Sequence, residues 1–231
     1  MIRRSKLTDV FALAAIGAVL ALGSAASAAT DQTATATAKV PANLPSEASA
    51  LLKRMTQLNT GLRSYKADLH AEIALKTFPF ISPSLDGNVY YKAPDQEAAV
   101  FDTVPALASQ FKKVYPRIPA PMNWPKIYTI TTLGDSGGLT TFRLVPIKNG
   151  RVERLDVKVD DANATIASYI WTYKDGGSIS FQQSFKTIDG NYLVDKQVGH
   201  VDLPAYKADV TNVLSNYKLN VPVADSVFAE S

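Results

Sequence analysis

The sequence predicts a mainly β protein with some α-helix: a strongly curved antiparallel sheet of about 10–11 strands, an incomplete half-barrel with an N-terminal helix plugging its concave face. Three observations predict it. A stretch near residue 50 carries apolar side chains at helical spacing, and most of the remaining chain alternates with period two. Turn signals also recur at intervals of about 11–14 residues, which is the mark of successive antiparallel strands. Open sheets this wide curl or close, and one helix is the economical cover for the hollow.

The first segment is a leader. Arg3, Arg4 and Lys6 form a positive start, residues 10–22 an apolar stretch, and Ala26-Ser27-Ala28 a small-residue cleavage site. Residues 1–28 are therefore expected to be a secretory signal peptide cut near Ala28. Its apolar stretch of about 13 residues is too short to span a bilayer. The mature protein is expected in the periplasm or outside the cell. Residues 29–43, ATDQTATATAKVPAN, are rich in Ala and Thr with few large apolar side chains, and predict a flexible linker. Residues 44–231 then form a single half-barrel domain, long enough to bury roughly 70% of the unfolded chain's surface.

Composition narrows the chemistry. Lys and Arg number 24 against 21 Asp and Glu, a net charge of +3. Two of those charges belong to the leader, so the mature chain is nearly neutral and offers no nucleic-acid surface. Cysteine is absent, which excludes disulfides, thiolate nucleophiles, cysteine zinc sites and an acylated lipoprotein cysteine. With only His70 and His200, a multi-histidine metal centre is also excluded. No serine elbow, phosphate loop or metal-ligand spacing occurs, so neither catalytic residues nor a metal nor a cofactor is predicted. Asp160, Asp161 and Asn163 lack the glycine and terminal glutamate of a calcium loop and are expected to form a hairpin turn.

Within the domain, Ser46 is placed as the cap of a helix whose Ala48, Leu51, Leu52, Met55, Leu58 and Leu62 share one face. From Tyr65 the period becomes two. Tyr65, Ala67, Leu69, Ala71, Ile73 and Leu75 face one side, with the solvated His70 on the other. Asp86-Gly87 is taken as a turn before a second strand over 88–92, and Pro94-Asp95 as a turn before a third over 97–104. Residues 104–125 hold five of the 13 prolines and exclude a central strand. A short helix is expected over 106–115. The segment is either the mouth of a binding site, with Tyr115, Met122 and Trp124 beside Lys112, Lys113 and Arg117, or a rigid crossing loop. Seven further strands are expected over 126–133, 139–147, 152–159, 164–173, 178–188, 192–203 and 206–221, separated by glycine-rich or Asp/Asn turns.

The expected strand over 164–173 is apolar on both faces, with Ala167, Tyr169, Trp171 and Tyr173 on one and Ile166 and Ile170 on the other. Leu155, Val157 and Val159 before it and Ile179, Phe181 and Phe185 after it continue an apolar face. A single helix is a small cover for so wide a concavity, which leaves space for an apolar ligand.

The order of parts resembles the lipoprotein-localisation half-barrel family, the periplasmic outer-membrane lipoprotein carriers and lipoprotein-sorting proteins. Residues 58–75, LNTGLRSYKADLHAEIAL, look like that family's opening helix and first strand. Gly87-Asn88-Val89-Tyr90-Tyr91-Lys92-Ala93-Pro94 looks like its second-strand motif, and residues 221–228 resemble its last strand. The similarity covers about residues 47–228. It implies an eleven-strand half-barrel plugged by helices, a cavity for acyl chains and no catalysis. It also implies a place in envelope lipid traffic between an inner-membrane donor and an outer-membrane acceptor, with the protein acting as a monomer. The family's lid-latching arginine falls at Ala93 here, so the closing device must differ.

The candidate residues for lipid or lipoprotein acyl-chain binding are accordingly Leu52, Met55, Leu69, Ala71, Ile73, Val89, Tyr91, Ala93, Leu155, Val157, Trp171, Ile179, Phe181 and Phe185. Two other readings stay open: an envelope hydrolase whose acidic site assembles only in three dimensions, and a non-lipid structural or interaction module with a solid core.

Overall fold

The computed structural model describes residues 44–77, 82–103 and 117–229. The expected signal peptide, the linker and the helix over 106–115 lie outside the described residues.

Helix α1 spans Ser46–Gln57 and buries Ala48, Leu51, Leu52 and Met55, the stripe read from the sequence. Each such side chain contributes about 1.5–3 kcal/mol on full burial, Ala48 less. The cap is Pro45 rather than Ser46. Pro45 has the extended backbone of a capping position, its carbonyl accepts from the Ser49 amide at 2.9 Å, and no side chain caps the helix. Beyond α1, Asn59 adopts a positive φ of 55° and clamps Tyr192 by two bonds, donating to its carbonyl at 2.8 Å and accepting from its amide at 2.9 Å. Arg54 donates to the carbonyls of Asp161 and Ala162 at 2.8 and 2.6 Å. The helix is thus fixed to two separate hairpin ends.

Ten strands follow: β1 (Ser64–Leu75), β2 (Ser84–Lys92), β3 (Gln96–Phe101), β4 (Tyr128–Ser136), β5 (Leu139–Pro146), β6 (Val152–Asp160), β7 (Ile166–Tyr173), β8 (Ser178–Ile188), β9 (Asn191–Leu203) and β10 (Tyr206–Leu219). A 3₁₀ turn, Pro121–Asn123, and the short helix α2, Trp124–Ile127, precede β4. All strands join one open antiparallel sheet in the order β3-β2-β1-β10-β9-β8-β7-β6-β5-β4. The first meander ends at one edge, the chain crosses to the other edge, and seven strands return to pair β10 with β1.

Three expectations need correction. Asp86-Gly87 is no turn but lies inside β2, where Gly87 pairs with Leu69 and Phe101. A Cβ there would stand 2.3 Å from the Val100 carbonyl oxygen, so glycine serves close backbone approach. Residues 221–228 form no eleventh strand; after β10 the chain is extended and then turns as a 3₁₀ helix over Asp225–Phe228. The two-sided apolar character of β7 comes from a bulge. Val159 pairs with Ile166 while Lys158 pairs with Ser168, so Ala167 is the extra residue and Ile166 turns to the concave side with Tyr169 and Trp171. Ile170, on the other face, is 44% exposed.

The concave face carries the core. Leu52 and Met55 of α1 pack with Ala71, Ile73, Leu85, Phe142, Leu144, Leu155, Val157, Trp171, Ile179 and Phe181 among others, a band drawn from nine of the ten strands. Trp124 completes it. That indole is fully buried, donates to the Pro119 carbonyl at 2.7 Å and meets the Phe142 ring edge-on. It is a core residue, not the exposed apolar contact expected of a mouth.

Candidate ligand cavity

A row of side-chain amides crosses the apolar hollow. Asn212 on β10 donates to Gln197 on β9 at 3.2 Å, Gln197 to Gln183 on β8 at 3.0 Å, and Gln183 to the Ile166 carbonyl of β7 at 2.6 Å. These residues are register partners, Asn212 with Gln197 and Gln197 with Gln183, so the strand pairing itself builds the row. The bulge at Ala167 supplies its terminal carbonyl. On one side lies the α1-covered band. On the other lies a smaller cluster of Leu69, Val89 and Leu214, flanked by Tyr65, Ala99, Phe101, Val194 and Tyr217.

Against this row opens a cavity of about 150 Å³. Its polar lining is Gln183, Gln197, Glu97 and Arg117; Tyr65 and Tyr169 supply rings, and Ile118, Ile166, Val194 and Leu214 supply aliphatic walls. Curvature brings these groups together, since Glu97 is on the edge strand β3 and Tyr169 on β7, with five strands between them in the sheet order. A second bulge contributes as well. Ser184 pairs with Lys196 and Phe185 with Val194, so Asp195 is skipped and Val194 turns inward.

The segment 117–127 closes one wall, and a single carboxylate holds it. Asp95, in the turn between β2 and β3, accepts from the Arg117 guanidinium at 2.5 Å, the Ala120 amide at 3.0 Å and the Asn123 side-chain amide at 2.7 Å; Arg117 also donates to the Asp95 carbonyl. Of the two sequence readings of this segment, its described part matches the rigid crossing loop in geometry, pinned at Asp95 and rooted by Trp124. The same part nevertheless lines the cavity through Arg117 and Ile118.

Burial pushes the Glu97 carboxyl above the usual carboxylate range; Arg117 opposes the shift and Asp95 adds to it. Desolvation likewise raises the Tyr169 and Tyr217 hydroxyls, with the Glu97 charge contributing to both. Glu97 makes no ion pair or hydrogen bond with a described residue.

Of the sequence candidates, Leu52, Met55, Ala71, Ile73, Leu155, Val157, Trp171, Ile179 and Phe181 form one packed cluster, with α1 against them. Leu69 and Val89 belong to the second cluster. Tyr91 is half-buried and stacks on Tyr65 at 5.3 Å, and Phe185 is half-buried on β8. Ala93 is exposed in the β2–β3 turn and lines neither cluster. Sequence reasoning missed Glu97, Gln183 and Gln197 as site residues, and reached Arg117 only as part of the possible mouth. Gln183 and Gln197 had a signal: each falls in the apolar register of its strand, after Ile179 and Phe181 and before Val201 and Leu203. Glu97 had none.

Two other features carry no ligand chemistry of this kind. The hollow of about 610 Å³ between the end of α1 and the β8–β9 turn is open and lined by Asn59, Thr60, Asp189, Asn191 and Asn220 among others. At the β6–β7 turn, Asp160 accepts from the Ala162 and Asn163 amides and Asp161 from Thr140, so these carboxylates tie a hairpin.

The fold defined by this sheet and its plug helix recurs among solved structures. A DUF1329 family protein from Desulfovibrio piger matches with a TM-score of 0.60 at 14% identity, over 78% of this chain and 94% of that one. A putative outer membrane lipoprotein-sorting protein domain from Vibrio parahaemolyticus matches with a TM-score of 0.61 at 10% identity, over 78% and 95%. A LolA superfamily protein from Nitrosomonas europaea matches with a TM-score of 0.55 at 12% identity, over 78% and 96%. The chain therefore has the half-barrel fold of the lipoprotein-localisation proteins. No protein-family profile and no curated protein sequence matches it.

Proposed function

We propose that the protein binds acyl chains of a lipid or lipoprotein in its concave face and carries them through the cell envelope without catalysing a reaction. The observation that carries this reading is the apolar band on the hollow side of nine strands, sealed by one helix and one proline-rich segment. Among the described residues, α1 is held by polar bonds near its C-terminal end, through Arg54 and Asn59, and the crossing segment through Asp95, while Leu51, Leu52 and Met55 of α1 only pack. Moving either would expose a continuous apolar trough. Each methylene received there contributes about 0.8 kcal/mol, so a long chain needs few polar contacts. The likeness to the Vibrio parahaemolyticus lipoprotein-sorting domain is in line with this reading, as is the leader expected in residues 1–28, which would deliver the mature protein to the periplasm. An inner-membrane donor and an outer-membrane acceptor would load and unload it.

The cavity of about 150 Å³ is smaller than the roughly 300–1,000 Å³ of ordinary ligand pockets, so uptake of a whole chain requires a cover to shift. That small volume is also the one observation favouring a closed interaction module. Native mass spectrometry of protein purified from the envelope, together with displacement of an environment-sensitive lipid probe, separates the two. Co-purified lipid and saturable displacement support the carrier; a lipid-free protein that takes up no probe refutes it.

A further inference from the structure

Polar groups that face a cavity with hydrogen-bonding capacity to spare define what the cavity receives. Three such groups line the cavity between β3 and β7. Tyr169 is 3% exposed, and its hydroxyl makes no hydrogen bond to a described residue. Glu97 has neither an ion-pair nor a hydrogen-bond partner among the described residues. Gln183 uses one amide hydrogen on the Ile166 carbonyl and one lone pair on Gln197, which leaves its second hydrogen and second lone pair unmatched among the described residues. Together these offer both donors and acceptors at one place.

The charge at the cavity selects among ligands. Two carboxylates, Asp95 and Glu97, face one cation, Arg117, which is already bonded to Asp95 at 2.5 Å. A further carboxylate brought into the cavity would meet Glu97 with no cation beside it, among the described residues, except the already paired Arg117. The volume of about 150 Å³ holds roughly five groups the size of a water in the liquid, enough for the linkage at the head of an acyl chain and too little for the chain.

We infer that this cavity holds the uncharged, hydrogen-bonding linkage of an acyl ligand, an ester or amide with an adjoining hydroxyl, and rejects the free carboxylate of a fatty acid. The inference rests on the acyl-binding reading above and names its substrate class. The ligand carbonyl accepts from Tyr169 and from the Gln183 amide, a hydroxyl beside it donates to Glu97, and the alkyl chain is left to the apolar band.

The test is a competition at pH 8 between 1-monomyristoylglycerol and myristate, equal in chain length, for the delipidated mature protein loaded with a fluorescent lipid probe. The glyceride is expected to bind about tenfold tighter or more, since myristate would bring an unpaired charge to Glu97. In Glu97→Gln, myristate is expected to gain about tenfold while the glyceride changes little. Gln183→Met, a second variant near in volume, is expected to weaken the glyceride and leave myristate unchanged. Equal affinities in the wild type, tighter binding of myristate, or discrimination that survives in both folded variants overturns the inference while leaving acyl binding standing. Binding of neither ligand overturns both.

Discussion

Asp95 and Arg117, 22 positions apart, form an ion pair at 2.5 Å that ties the turn between β2 and β3 to the segment crossing the hollow. The same carboxylate takes the Ala120 amide and the Asn123 side chain, so one residue gathers three points of the crossing segment. It does so at the wall of the cavity, which Arg117 and Ile118 line.

Asp95→Ala should therefore loosen this wall more than any neighbouring surface change. Hydrogen bonds to a charged group contribute about 1.5–3 kcal/mol, and partial exposure of the pair reduces that figure. The expected result is a loss of about 1–3 kcal/mol in urea unfolding and faster uptake of a lipid probe. Unchanged stability and unchanged uptake would show that the crossing segment is held elsewhere.

Trp124→Ala should behave as a core deletion. The indole is fully buried against Phe142, so truncation is expected to cost about 3–5 kcal/mol in chemical denaturation. A cost below about 1 kcal/mol would place Trp124 outside the core.

Gly87→Ala tests the replacement of the expected turn by a strand. An added Cβ would lie 2.3 Å from the Val100 carbonyl oxygen and 2.8 Å from the Phe101 Cα, both backbone atoms that cannot swing aside. Destabilisation of about 1–3 kcal/mol is expected, with faster amide exchange in β3. Wild-type exchange and wild-type melting would contradict the β2–β3 register.

His70 gives a small pH dependence. Its imidazole is held above the ordinary 6.5 first by its hydrogen bond to Asp86, at 2.6 Å, with the charges of Asp86 and Glu72 adding to it. A folded value above the unfolded one means that the pair's stabilisation is fully present below pH 6.5 and is lost as pH rises through the folded value. His70 is 45% exposed, so the effect is below about 1 kcal/mol. Asp86→Asn should lower the melting temperature at pH 5.5 and leave it nearly unchanged at pH 8.5; an equal drop at both would rule the pair out as the cause.

The sequence by itself determined the parts whose signals are local. The stripe Ala48, Leu51, Leu52 and Met55 makes a helix wherever an apolar surface faces it, and the alternation from Tyr65 to Leu75 makes a half-buried strand whatever its partners. Gly137-Gly138, Asp175-Gly176 and Asp189-Gly190 end strands because glycine, and in one case Asp189, adopts the positive φ those turns require. Only the tertiary structure decided the cavity. Gln183, Gln197 and Asn212 become a row because the register aligns them, and Glu97 meets Tyr169 because the sheet curls until an edge strand faces one six places away. Likewise Gly87 stays in a strand, although Asp-Gly signals a turn, because the β3 backbone approaches too closely for any other side chain. Period and turn chemistry act over a few residues, whereas curvature and register sum interactions along the whole sheet, and no short stretch of sequence contains that sum.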